Sequence, residues 1–403
     1  MNTIYLDNSA TTPLSDAARE AIRAAMDNYG NPSSLHTVGL DGETLLKNAR
    51  RQVLGALGVR NPSSEQQKQL IFTACGTESN NIAMLGCAAA KKRTPNADGI
   101  LGTIVISDGE HPSIENPAVR LSEQGYALVR VPTKYGVLDL DFLKTALENA
   151  KKSAAPVIFA AFMLVNNETG AVYDVKAASA LVKRYFPDAV VHCDAVQGYL
   201  KLRFTPTTLG ADTISVSAHK IHAPRGAAAL YISGEVIKRK NIVPVMPGGG
   251  QEDGFRSGTE NLLSIAAFAA AAESGYANGE ANRQTVSDLR AYLNERLAEL
   301  ADAGVTQNLP AKRQLAGIAS VVIPGVRSET MLNHLSAREV YVSAGSACSA
   351  HSKKKSGALT AFGTEDDRID STIRVSLSYT NTREDIDALI EGLRAGIADL
   401  QKK

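Results

Sequence analysis

The chain has 403 residues, 44% of them hydrophobic, a formal net charge of +1 and four cysteines. That length supports a sizeable core in roughly two to three domains. The near-balanced charge leaves no footprint for nucleic acid or a membrane surface, and no segment approaches the ~18 uncharged apolar residues of a membrane span. With no basic stretch followed by an apolar run at the amino end, a cytoplasmic protein is expected. Cys75, Cys87, Cys193 and Cys348 lack both metal-ligand spacing and disulfide density, so reduced thiols and no metal site are expected.

Taken in chain order, strands are expected at Leu70–Thr73, Thr103–Ser107, Ala127–Val131, residues 157–165 and 190–193, Thr213–Ser217 and Ala228–Ile232. They alternate with helical segments, which predicts a largely parallel sheet covered by helices, and most polar motifs follow strand ends. After the first strand, Gly76 and Thr77 open a helix where free amides and a hydroxyl would converge on an anion, although the same pattern also reads as an ordinary turn. His111 follows the second strand by a few polar residues and by itself reads as a solvated loop histidine. Asp194 stands just past strand 190–193, where open α/β sheets bind ligands; a helix N-cap is the competing reading. The strand Thr213–Ser217 delivers Lys220 onto a polar turn, and a desolvated lysine amine is a covalent catalyst toward an aldehyde cofactor.

A change of pattern follows Asn261. An Ala-rich helix spans residues 265–273, then a helix carries Val286, Leu289, Leu293, Leu297 and Leu300 on one face. The last helix repeats the stripe with Ile386, Leu389, Ile390, Leu393, Ile397 and Leu400, and Thr382 with Asp385 caps its start. These stripes read as core. Cys348 lies in a run of small and polar residues that cannot pack a core, so an accessible, mobile thiol is expected, with Lys353, Lys354 and Lys355 downstream favouring its thiolate; an incidental loop cysteine is the plainer reading. Arg374, alone, reads as one half of a surface ion pair.

The motifs together are more specific than any one. "YLDNSATTP" at residues 5–13, "NPSSLH" at 31–36, "GTESNN" at 76–81, "EHPSIENP" at 110–117, "NNETG" at 166–170, "DAVQG" at 194–198, "HKIHAPRG" at 219–226, "PGGGQEDGFRSGTEN" at 247–261 and "SAGSACSA" at 343–350 run in one order along nearly the whole chain. In this order they resemble the cysteine desulfurases, enzymes of the aspartate aminotransferase-like fold that depend on pyridoxal 5'-phosphate (PLP). The resemblance implies an α/β fold with a mostly parallel sheet in a large PLP-binding domain, residues 14–262. A smaller α+β domain, residues 1–13 with 263–403, would carry the cysteine loop.

By the same resemblance, Lys220 holds the cofactor and Asp194 faces its pyridine nitrogen. Gln197 meets the phenolic oxygen, and His111 stacks on the ring and exchanges protons with substrate, a task suited to a group titrating near neutrality. Gly76, Thr77, Ser217 and His219 bind the phosphate, with Thr259 supplied by the neighbouring subunit of a homodimer. Asn166 and Arg374 match the substrate-carboxylate site, where a planar guanidinium suits bidentate recognition. Cys348 matches the nucleophile that takes sulfur from L-cysteine, leaves alanine, and passes the sulfur to an acceptor protein, an iron-sulfur scaffold or a sulfur carrier for thiolation. A selenocysteine lyase, another class V aminotransferase-like enzyme, or a low-turnover PLP-binding sulfur-relay subunit are the alternatives. The chain departs from the pattern at Cys75, Ala223, Arg225 and Ser378, and in the lysines after Cys348, which puts the usual acceptors in doubt. Cys75, next to the phosphate turn, is expected to be a packed or cofactor-adjacent thiol with no room to travel.

Overall fold

In the computed structural model, residues 3–91, 93–344 and 355–401 are described. Among the described residues, thirteen strands form three sheets. The strands are β1 (Ile4–Tyr5), β2 (Leu70–Thr73), β3 (Thr103–Ser107), β4 (Ala127–Val131), β5 (Val157–Ala161), β6 (Val190–Asp194), β7 (Thr213–Ser217) and β8 (Ala228–Ile232), followed by β9 (Thr306–Gln307), β10 (Ile318–Val322), β11 (Val340–Tyr341), β12 (Ser343–Ala344) and β13 (Thr372–Ser376). The largest sheet has the order β2-β8-β7-β6-β5-β3-β4. β8 runs antiparallel to both β2 and β7, and every other pairing is parallel. Six strands therefore share one direction, and their carboxyl ends open on the same edge.

Continuous apolar runs make these strands because helices cover both faces of the sheet. β3, β5, β6, β7 and β8 are buried at every residue. β5 ends earlier than the sequence expectation of 157–165. Past Ala161 the regular strand ends, although the amides of Phe162 and Leu164 still donate to the His192 and Asp194 carbonyls at 3.0 and 2.9 Å, and Val165 pairs back onto Val172 across the turn that begins at Asn166. β6 runs one residue further than expected, so Asp194 is its last residue.

The smaller unit is the four-stranded antiparallel sheet β12-β13-β10-β9 with the helices Gly279–Ala298, Ser328–Ser336 and Arg383–Leu400. Its apolar cluster includes Leu6, Leu289, Leu293, Ile373, Leu389 and Leu393. The expected cap of the last helix is present: Thr382 and Asp385 form a reciprocal capping box. The helix Leu262–Ala277 packs Ile265, Phe268 and Ala272 into the large-sheet cluster instead. We therefore propose the division between the two units after this helix, not at residue 262. Among the described residues, no helix is long and apolar enough to cross a membrane.

The amino-terminal segment joins the units. Asp7 bridges to Ser376 of β13, while Thr12 accepts the amide of His222 at 2.7 Å and donates to the His219 carbonyl at 3.0 Å. Residues 8–12 are thereby held against the turn that carries Lys220.

Candidate active site

The carboxyl edge of the large sheet collects the sequence-selected residues from several strands. β2 leads into the helix Gly76–Ala89, whose N-cap, Cys75, makes no side-chain capping bond, so the first-turn amides are not taken by a cap. A Cβ built on Gly76 would lie 3.0 Å from Val196 Cγ2 and 3.9 Å from Ser217 Cβ, so the absent side chain keeps this corner open. Ser217, the last residue of β7, is buried and its Oγ has no hydrogen-bond partner. A helix N-terminus, a glycine concavity and an orphan hydroxyl together have the donor chemistry of a phosphate cradle, so these residues fit the PLP phosphate. Thr77 is exposed at the same turn. Half-buried His219 lies 3.3 Å from Thr11 Oγ1, and burial, with Lys220 and other cations, pushes it down to about 4.

Lys220 Nζ donates to the carbonyls of Ser9 at 2.5 Å and Ala10 at 2.8 Å. Asp194 is buried; its Oδ1 accepts the Val196 amide at 3.0 Å and its Oδ2 accepts Asn80 Nδ2 at 2.8 Å. Gln197 is buried and donates from Nε2 to the Ser9 carbonyl, so Gln197 and Lys220 share that one oxygen. His111 forms the N-cap of the helix Pro112–Ser122, with Nδ1 accepting the Ser113 amide at 3.1 Å. Burial, and then Lys220, lowers its pKa while Asp194 acts in the opposite sense, so the expected near-neutral titration is shifted down.

The smaller sheet contributes Arg374 from the middle of β13. The side chain is 3% exposed, pairs with Asp7 at 2.8 Å through Nη2 and donates to the Asn167 carbonyl at 3.0 Å through Nη1. Its Nε is buried without a partner, so Asp7 and Asn167 do not use up the five N–H donors of the guanidinium. The surface ion pair read from the sequence alone is thus a buried one. Asn166 is engaged within its own turn. Its Oδ1 accepts two amides and a hydroxyl of its own turn, and its Nδ2 meets the Gly109 carbonyl and Met163 Sδ. In this structure Asn166 builds the turn that carries Asn167 to Arg374.

Cys348, Lys353 and Lys354 lie outside the described residues. Their flanks are described. Ser343 and Ala344 pair with Arg374 and Ile373, and on the far side Ser356 donates to Glu168 at 2.5 Å. Lys355 pairs with Asp366 at 2.6 Å, so its charge is already matched within the chain. Cys87 and Cys193 are buried, and burial pushes the Cys87 thiol up to about 12. Cys75 is exposed, so of its two expected settings the packed one does not hold, while it does stand at the N-cap of the phosphate-end helix. At the other departures, Ala223 is buried, Arg225 is exposed, and Ser378 Oγ lies 2.8 Å from His222 Nε2. Thr259 is exposed on the segment that Arg256 ties to Glu78 of the phosphate-end helix at 2.9 Å.

Sequence reasoning did not select Asp7, Asn80, Glu110, His192 or Lys201. The i to i+4 spacing of Gln197 and Lys201 is one usable signal, and Lys201 Nζ does reach Gln197 Oε1 at 3.1 Å.

A family described as aminotransferase class-V matches residues 4–389. The chain is 33% identical to a cysteine desulfurase IscS of Methanosarcina thermophila over 96% of this chain and 90% of that protein. It is 32% identical to a cysteine desulfurase IscS of Dictyoglomus turgidum over 99% of this chain and 95% of that one. A solved NifS-like protein superposes with a TM-score of 0.86 at 29% identity, covering 99% of this chain and all of the other.

Proposed function

Because the chain belongs to the PLP-dependent cysteine desulfurases among the class V aminotransferases, we propose that it converts L-cysteine to L-alanine, holding the sulfur as a persulfide on Cys348 for transfer to an acceptor protein. The observation that carries the reading is that both described flanks of the Cys348 segment are anchored beside Arg374: Ser343 pairs with it directly, and Ser356 is bonded to Glu168 of the turn whose Asn167 it contacts. Cys348 is four residue steps along the sequence from Ala344, a tether of at most about 14 Å.

Arg374 grips the substrate carboxylate with the donor edge that Asp7 leaves free, and this presents the amino group toward Lys220. Bound PLP supplies the electron sink that makes the substrate carbon labile. Asp194, held by Asn80 and the Val196 amide, keeps a negative charge at the end of β6, where it favours a proton on the ring nitrogen. Lys220 is placed to move protons on the substrate side, with Ser9 and Ala10 fixing its amine. The Cys348 thiolate attacks the substrate sulfur, an S–S bond forms and the C–S bond breaks. Its electron pair stays with the carbon skeleton, which takes up a proton and leaves as alanine.

The dimer belongs to the same proposal. Thr259 is exposed on one chain, and Met26, Tyr29, Leu35, Leu40 and Leu263 expose apolar surface on nearby elements, as a second copy with Thr259 entering its neighbour's site requires. The acceptor is an iron-sulfur scaffold or a sulfur carrier. The experiment is a balance of alanine against protein-bound sulfur from L-cysteine and from selenocysteine, with the persulfide mapped by mass spectrometry. Stoichiometric alanine with sulfur on Cys348 is expected. Alanine from Cys348→Ser at the native rate, or persulfide on Cys75, overturns the assignment.

A further inference from the structure

His192 and Asp194 alternate along β6 and so face the same side of the sheet, where Asn80, in the second turn of the helix Gly76–Ala89, lies against both. Asn80 is 1% exposed and His192 fully buried. Asn80 Oδ1 is 2.9 Å from His192 Nε2, while its Nδ2 donates at 2.8 Å to Asp194 Oδ2 and at 2.8 Å to Ser113 Oγ. Ser113 Oγ is in turn 2.8 Å from His111 Nδ1, and Thr213 Oγ1 is 2.8 Å from His192 Nδ1. One continuous path joins Thr213, His192, Asn80, Ser113 and His111, with Asp194 as its branch.

Each proton on this path has one consistent position. The Ser113 backbone amide can only donate, so His111 Nδ1 presents its lone pair and the neutral ring carries its proton on Nε2. Ser113 Oγ, at the same nitrogen, donates there too and keeps its lone pairs for Asn80. The amide oxygen of Asn80 can only accept, so His192 is protonated on Nε2 and takes the Thr213 hydroxyl proton on Nδ1. Burial pushes His192 down to about 4, which keeps it in this neutral form.

We propose that Asn80, aimed by His192, is a positioning residue that fixes the anion Asp194 and the proton of His111 together, so that His111 meets substrate as an Nε2–H donor and not as a base. The proposal rests on the reading above for placing His111 at the substrate. The charged groups around His111 act in both senses. Lys220, from the turn after β7, opposes an imidazolium and Asp194 favours one. Glu110 turns its Oε1 to Ser107 and the Met163 amide, and Glu115 on the same helix is paired with Arg130. Protonating Nδ1 would break both bonds from Ser113 at the start of a helix, where the dipole also disfavours a cation.

The test is nitrogen NMR of the full-length protein carrying labelled histidine, with cofactor bound and with it stripped, His111 being assigned by His111→Asn. A bare Nδ1 and protonated Nε2 between about pH 6 and pH 8 are expected. In Asn80→Ala the Ser113 hydroxyl loses the N–H that orients it as a donor to Nδ1 and can rotate to accept from that nitrogen, so His111 titration moves up by about one pH unit. kcat should fall on the order of tenfold or more, with little change in KM. Should Asn80→Ala fail to fold, Ser113→Ala keeps the backbone cap, removes the hydroxyl donor and is expected to shift the titration in the same sense. A protonated Nδ1 or an imidazolium at neutral pH in the wild type, or an unmoved titration in a folded variant, overturns the proposal. The ring protons are read without turnover, so a protein that fails to desulfurate cysteine is distinguished from a relay that does not exist.

Discussion

In the seven-stranded sheet, Gly76, His111, Asp194, Ser217 and Lys220 all arrive at or just beyond strand ends that open on one edge. The four-stranded sheet does the reverse: Arg374 sits in mid-strand, and its surroundings come from Asp7, Asn167 and Ser343. The first arrangement places functional groups on turns fixed by a rigid ladder, whereas the second surrounds a mid-strand side chain with partners 207 and 367 residues away in sequence. In the proposed function the two regions divide the labour, one to hold the cofactor and the other the substrate carboxylate and the cysteine tether.

Variants on the two sides should then fail differently. Lys220→Ala is expected to lower alanine formation by at least about 10³-fold, and Asp194→Ala to weaken cofactor retention as well as turnover, both read by cofactor absorbance and alanine assay. Native alanine rates in either would break the division. Arg374→Lys loses the planar fork and should raise KM for cysteine roughly ten- to a hundredfold at unchanged cofactor content. Loss of cofactor from that variant would show that the smaller unit also shapes the cofactor site. Mixing Lys220→Ala subunits with Thr259→Ala subunits should restore activity from the one site free of both lesions. A heterodimer that forms and remains inactive excludes the shared site.

Much of the first region was legible because its strands are buried on both faces and read as unbroken apolar runs with a polar motif at each end, as in Thr103–Ser107 and Thr213–Ser217. Residues 162–165 read as strand because Phe162, Met163, Leu164 and Val165 are as apolar as the strand before them; Phe162 and Leu164 do keep their amides on β6, but Val165 already bridges to Val172 across the next turn. The helix Leu262–Ala277 carries so many small apolar residues that no single face marks the core it joins. Partners distant in sequence stayed hidden. Nothing local in Asn80 points to His192, 112 residues away, and nothing in Arg374 points to Asp7, 367 residues away. Cys75 looked packed because it follows a buried strand, but the chain turns outward at Ala74.

The smallest expected effects are in stability, and they set a buried base against a buried acid. Lys201 is pushed down to about 7, first by burial and then by Lys220 and Arg374. Glu110 is pushed up to about 8, chiefly by burial, and its Oε2 has no partner. Between about pH 7 and 10 the unfolded chain holds a proton on Lys201 that the folded chain has released, so this lysine makes stability rise with pH. Between about pH 4.5 and 8 the folded chain holds a proton on Glu110 that the unfolded chain has lost, so this acid makes stability fall. Each slope is at most about 1.4 kcal/mol per pH unit. Chemical denaturation should therefore show Lys201→Met flattening only the alkaline rise and Glu110→Gln flattening only the fall below pH 8. Gln keeps an acceptor for Ser107 and the Met163 amide, so that variant should also fold. Lys201→Met should further free the Gln197 amide to rotate, moving the cofactor's absorbance although Lys201 lies one residue behind the candidate contact. An alkaline slope unchanged in Lys201→Met would show that the amine is charged and solvated in the folded protein, and that Gln197 is held by Ser9 alone.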